Sequence, residues 1–355
     1  MKLKRWISKA IVLAMVVALM APMPVAAKAA KGGKLVSSVT ESTYLPNGGW
    51  KTQSKDTFKY DKKGYPTTFE YINYHSYFLG IPVGGSKSVT TAKYKYKGKT
   101  PKSMKMKDGA GFVTETRKYK KGRVVSIDST DLTSNETYDA NGAYKSSVES
   151  YAYTGNVSYN KSGLATAETY NRTQEYRDEE GKLTSEKSHG TYNYIVIHKK
   201  GVPSYILRQG AWGYTETYAD GTSYAYEETA DGAWSSTSNG KTETGVDDET
   251  RSYYTKFNNK GLAIEKGYID TNHKTGVQKT YPTQRTDYVM KKGKVTEAIV
   301  YNVETKEENN VVTVTKVTPR TKYNFKYAKK KVGAVRYLSM INDLVGGDNG
   351  FFAWY

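Results

Sequence analysis

The chain has 355 residues and no Cys, which excludes disulfides, thiolate catalysis and cysteine-ligated metals. Tyr is abundant at 33 residues, and the formal net charge is +19. These numbers single out no reaction; they bound the chain to one large domain or two to three ordinary ones.

Residues 1–29 carry Lys2, Lys4, Arg5 and Lys9, then an apolar run over 10–21, then Ala27-Lys28-Ala29. That order of basic, apolar and small residues predicts a secretory signal peptide cut after Ala29. The apolar run is too short to span a bilayer, which takes about 20 residues. Cleavage lowers the formal charge from +19 to +14. The mature chain holds no transmembrane helix and is expected to be secreted or at the cell surface. Its basic surface favours an anionic wall polymer, a polysaccharide or a surface protein as partner. Nucleic acid is a poor partner for an exported chain.

Residues 30–49 read as a mature N-terminal segment. Over 50–310 one turn recurs. It stands as Tyr60-Asp61-Lys62-Lys63-Gly64, Tyr138-Asp139-Ala140-Asn141-Gly142, Tyr159-Asn160-Lys161-Ser162-Gly163 and Phe257-Asn258-Asn259-Lys260-Gly261. Gly122, Gly142, Gly163, Gly181, Gly201 and Gly221 follow one another at about 20 residues, and Gly64 and Gly293 sit in related turns. Asp or Asn starts such a turn by bonding nearby backbone, and Gly takes the positive φ. Strands rich in Thr, Val, Tyr and Ile come between, for example 164–170 and 295–301. The predicted fold is all-β: an extended antiparallel meander of repeated hairpins, as a curved single sheet or a partly closed sandwich. Residues 311–355 read as a C-terminal cap, with a short helix over 337–345 stopped by Gly346-Gly347.

The turn resembles the tyrosine–aspartate repeats of bacterial secreted proteins, including the RHS class. The resemblance rests on Tyr60 to Gly64, Tyr138 to Gly142 and Tyr159 to Gly163, and covers most of 50–305 at motif level. It implies β-hairpins wound into strips or shells.

The densest aromatic run is Trp212, Tyr214, Tyr218, Tyr224, Tyr226 and Trp234, near an acidic stretch over 216–248. Rings beside hydrogen-bonding groups suit stacking on a glycan or a protein patch, so these six are the binding candidates. No His spacing or nucleophile elbow marks a catalytic or metal site, and no cofactor is expected. The main expectation is therefore a secreted or envelope-associated binder of wall polymer, glycan or a surface protein. The alternatives are a structural spacer without a selective ligand, a glycan-active enzyme and an outer-membrane β-barrel. The barrel is suggested by the terminal Phe351-Phe352-Ala353-Trp354-Tyr355 and opposed by strands that lack an apolar outer face.

Overall fold

Asp61 shows how one strand hands over to the next. Its N–H donates to the Tyr65 carbonyl at 2.9 Å, and its carbonyl accepts from Gly64 N–H at 3.0 Å. Its Oδ1 accepts from the N–H groups of Lys63 and Tyr65 at 2.8 and 2.9 Å. Gly64 closes the turn at φ +88°, where a Cβ would be strained. Asn258 repeats the arrangement toward Lys260, Gly261 and Leu262. Gly221, Gly261 and Gly293 also have positive φ. Gly122, Gly142, Gly163, Gly181 and Gly201 lie outside the described residues.

The computed structural model describes residues 33–78, 81–121, 123–138, 144–159, 165–177, 182–199 and 202–346. Its strands are β1 (Lys34–Tyr44), β2 (Trp50–Tyr60), β3 (Pro66–Phe78), β4 (Ile81–Lys97), β5 (Thr100–Lys107) and β6 (Val113–Lys120). Then come β7 (Arg123–Tyr138), β8 (Tyr144–Tyr159), β9 (Ala165–Arg177), β10 (Leu183–Lys199), β11 (Val202–Thr217), β12 (Ser223–Glu228) and β13 (Ala233–Ser238). The last are β14 (Lys241–Val246), β15 (Glu249–Phe257), β16 (Ala263–Asn272), β17 (Gln278–Lys291), β18 (Lys294–Glu308) and β19 (Val311–Lys331), followed by the helix α1 (Ala334–Gly346).

Every pairing is antiparallel. Neighbours pair in order from β1 to β11 and from β15 to β19, β11 pairs with β15 through residues 205–208, and β19 pairs back with β1. Sixteen strands thus close into a barrel. The remaining three, β12, β13 and β14, extend the sheet from the far part of β11. The expected open meander, curved single sheet or partly closed sandwich is corrected by this closure, and so is the likeness to tyrosine–aspartate repeat shells. The physical reason is the β1–β19 pair, which runs from Lys34↔Lys331 to Thr43↔Thr321. It satisfies the two strand edges that an open sheet would leave exposed.

Residues opposite one another in register share a face. Met104, Arg117, Ile127, Gly155, Tyr170, Gly190, Trp212, Glu228 and Trp234 form one continuous row across β5 to β13. Met104 belongs to the core in which Val39, Phe58, Val124, Val300 and Phe325 gather with the helix residues Met340 and Ile341. Strands so far apart around a closed ring can meet one another only inside it, so this row faces the lumen.

The adjacent row faces outward: Lys93, Lys105, Thr116, Asp128, Thr154, Asn171 and His189. Around the seam it continues with Asn324, Thr40, Lys55, Ile72 and Lys87. Burial alternates accordingly. In β4, Ala92 is buried while Lys93 and Lys95 are exposed; in β8, Ala152, Thr154, Asn156 and Ser158 are all exposed. The barrel wall is packed on its inner face in the core sector, and on these rows its outer face is largely polar.

Helix α1 closes one end. Tyr337, Met340, Ile341 and Val345 recur at helical spacing and are all buried. Their neighbours come from several points of the rim. Val36 N–H donates to Met340 Sδ at 3.4 Å, and Val295 N–H donates to the Tyr337 hydroxyl at 2.8 Å. Arg336 donates to the Gly64 carbonyl at 2.5 Å and lies 4.4 Å from the centre of the Tyr65 ring. Asn342 accepts from Ala263 N–H and donates to the Gly261 carbonyl, both at 3.0 Å. The helix predicted over 337–345 is therefore longer at its start.

Candidate ligand site in the barrel lumen

The strands β8 to β13 line the lumen with rings rather than aliphatic side chains. Tyr153 and Tyr170 stack at 6.2 Å, and Tyr170 and Tyr192 at 5.7 Å. Trp212 stacks on Tyr214 at 5.9 Å and meets Tyr226 at 5.3 Å, and Tyr226 stacks on Trp234 at 6.5 Å. Period two along each strand and the unbroken registers from β7 to β10 keep these rings on one face.

Glycine makes room for them. A Cβ on Gly190 would lie 2.5 Å from the Tyr170 ring, and one on Gly210 would lie 2.3 Å from the Tyr192 ring. Each ring therefore lies over bare backbone of the neighbouring strand.

Of the six aromatic residues expected to bind, five lie together on this inner face: Trp212 and Tyr214 on β11, Tyr224 and Tyr226 on β12, and Trp234 on β13. Tyr218 stands apart, in the turn after β11. Its hydroxyl donates to Glu216 Oε2 at 2.6 Å, and that bond raises its pKa. In the same turn, hydrogen bonds from Thr222 hold the Asp220 carboxyl below its ordinary value. The sequence reading missed Tyr153, Tyr170 and Tyr192, which lie tens of residues away. Their signal was the pairing of rings with inward glycines, visible only once the register is known.

Polar groups are interleaved with the rings. Glu168 accepts from the hydroxyls of Tyr194 at 2.7 Å and Tyr153 at 3.0 Å. Arg208 sits 3.6 Å over the Tyr192 ring, and Arg172 is ion-paired with Glu186. Between β9 and β11 lies a cleft of about 400 Å³. Tyr170 and Arg172 form one side, Trp212, Tyr214 and Glu216 the other, with Ser188 and Glu186 of β10 between them. Ser188 is only 8% exposed, and its Oγ has no hydrogen-bond partner; Arg172 Nε is also buried without one. Trp212 is 36% exposed, so the cleft opens to water.

Among the described residues no group of three or more His, Asp or Glu side chains is placed to hold a metal ion. No described helix is long and apolar enough to cross a membrane, which says nothing of the strands.

No family model matches the chain, and no curated protein matches it. Two solved structures resemble the chain distantly. One is a porin-like protein from Bacteroides uniformis, with a TM-score of 0.36 and 12% identity over 83% of this chain and 99% of that one. The other is a porin-like protein from Bacteroides vulgatus, with a TM-score of 0.29 and 9% identity over 84% of this chain and 100% of that one. Likeness at this level carries no argument, and the barrel stands on its own hydrogen-bonded ring.

The ring corrects the main functional expectation. A secreted or surface-bound repeat sheet showing its rings to wall polymer, polysaccharide or a surface protein needs an open, outward aromatic face. Here that face is the inner face of a closed barrel over β8 to β11, and β12 and β13 continue the same face beyond the closure. Of the readings drawn from the sequence, the outer-membrane β-barrel alternative is the one whose architecture agrees. The aromatic terminus that suggested it, Phe351 to Tyr355, lies outside the described residues.

Proposed function

We propose that the chain is a porin-like β-barrel that acts through its lumen, admitting a small solute to the ring-lined sector while α1 closes the other end. The observation that carries this reading is the inward placement of Tyr153, Tyr170, Tyr192 and Trp212 on the ring strands β8 to β11, a face that β12 and β13 carry on beyond the β11–β15 closure through Tyr226 and Trp234. Strand direction alternates around the ring, so the β11–β12 turn lies at the end away from the helix. A solute entering there meets Glu216 and Tyr224 first, then Tyr214 with Tyr226, then Trp212.

The absence of native Cys allows a clean test. Tyr192→Cys places a half-buried thiol on the inner face and Thr154→Cys places an exposed one on the outer face. Small maleimides are expected to label both, and a 5-kDa polymer-linked maleimide, roughly the size excluded by a filled barrel mouth, to label only the second. Equal labelling of both by the large reagent overturns the lumenal reading.

A second reading, insertion into an outer membrane, is favoured by the closed ring with an even strand number. The outer wall weighs against it. Lipid-facing walls carry an apolar band, and each Lys at the bilayer midplane costs about 2–4 kcal/mol. Lys55, Lys87, Lys93 and Lys105 all stand on outward rows. The same Thr154→Cys variant decides: in intact envelopes, protection from a water-soluble maleimide that detergent relieves supports insertion, and full labelling without detergent refutes it.

A further inference from the structure

We propose that the cleft beside Trp212 binds a small organic cation, an onium group joined to a neutral hydroxyl or carbonyl oxygen. The proposal rests on the lumenal reading above and names the ligand class for that site.

The cleft is a grid three strands wide. Tyr170, Gly190 and Trp212 form one row, Arg172, Ser188 and Tyr214 the next, and Gln174, Glu186 and Glu216 the third. Ser188 keeps the middle of the grid low, Gly190 beside it is covered by the Tyr170 ring, and the Trp212 and Tyr214 rings stand on the far side. Ring faces attract cations, and more strongly where water is partly excluded.

The charges point the same way. Arg172 is held by Glu186, which leaves Glu216 as the surplus charge of the lining. Glu228 stands directly opposite Trp212 on β12, so carboxylates lie on two sides of that indole. Arg208, the other nearby cation, is committed to the Tyr192 ring one row away from Trp212. An anionic ligand would face Glu186, Glu216 and Glu228 with Arg172 already paired.

The second, independent observation is Ser188. Its side chain is more than nine-tenths buried, lines the cleft and has no partner for Oγ. Arg172 Nε beside it lacks an acceptor. Buried polar groups without partners are costly, and a ligand that supplies them is favoured by that cost. A hydroxyl can accept from Arg172 Nε and donate to Ser188 Oγ. A purely hydrocarbon cation would leave both unmet.

The test is a calorimetric titration of the folded protein with choline, with its uncharged isostere 3,3-dimethyl-1-butanol, and with the anion 3,3-dimethylbutanoate. Choline is expected to bind at one site about tenfold more tightly than the alcohol, and the anion not at all. Glu216→Gln is expected to weaken choline by about tenfold and leave the alcohol unchanged, while Trp212→Ala abolishes binding of both. Equal affinity for choline and the alcohol, preference for the anion, or no binding of choline overturns the proposal. The cysteine-labelling result is read separately, so a failure here does not imply failure of the lumenal reading.

Discussion

The barrel has two inner faces built on one turn chemistry. From β1 to β7 and β16 to β19 the lumen is filled by Val39, Phe58, Met104, Val295, Val300 and Phe325 against α1. From β8 to β13 the same inward positions carry rings, glycines and paired charges, and no helix lies against them. The outer rows do not divide in this way: exposed polar side chains such as Lys93 and Thr154 alternate with scattered exposed apolar ones such as Tyr253 and Val289. The contrast separates two tasks. The aliphatic sector buries surface and supplies stability, at about 1.5–3 kcal/mol for each fully buried large apolar side chain. The ring sector keeps an open cleft, which a stability argument alone would fill.

The sharpest way to break this comparison is at the helix. Ile341 is fully buried, and Ile341→Ala is expected to cost about 2–5 kcal/mol. Urea unfolding followed by circular dichroism measures it. A loss below about 1 kcal/mol would mean that α1 is not part of the folded core and that the two sectors are alike.

A middle-sized effect is expected at Gly190. Any Cβ there meets the Tyr170 ring, with the ring hydroxyl end as the part that can move. Gly190→Val should therefore cost about 1–3 kcal/mol through forced displacement of the Tyr170 ring toward Tyr192 and the cleft. Small maleimides should then label Tyr192→Cys, at the position on which the Tyr170 ring stacks, more slowly in the double variant than in the single one. Unchanged labelling would place the ring elsewhere in solution and remove the cleft.

The local half of this architecture was legible. Asp61 and Asn258 announce their turns because the groups they bond lie within four residues. The rings from Trp212 to Trp234 stood out because the end of β11 and the two short strands after it bring them together within a short stretch of chain. The helix showed through the spacing of Tyr337, Ile341 and Val345 on one face. Closure was not legible. Nothing near Val39 states that its partner is Phe325, since the choice is made by the whole ring rather than by any turn. Tyr170 was missed for the same reason: it joins Trp212 only through Gly190, across two registers. Alternation likewise gives two faces for each strand without saying which one a closed barrel turns inward.

The smallest effect sharpens the comparison from outside. Lys93 and Lys105 stand directly opposite each other on the outward face of β4 and β5, and both are exposed. Like charges in such a pair repel, so Lys105→Glu exchanges a repulsion for an attraction and should stabilise the fold by about 0.2–1 kcal/mol at low salt. Water screens exposed pairs, which favours the lower part of that range. The gain should fade between 0.01 and 1 M salt, as the screening length falls from about 30 Å to about 3 Å. A wall bathed in hydrocarbon would behave otherwise. There the dominant cost is transfer of each charge out of water, the two variants would differ by that transfer, and added salt would leave the difference in place. Salt-dependent unfolding of Lys105→Glu thus reports the solvent of the outer wall, while the titrations at Trp212 report the function of the inner one.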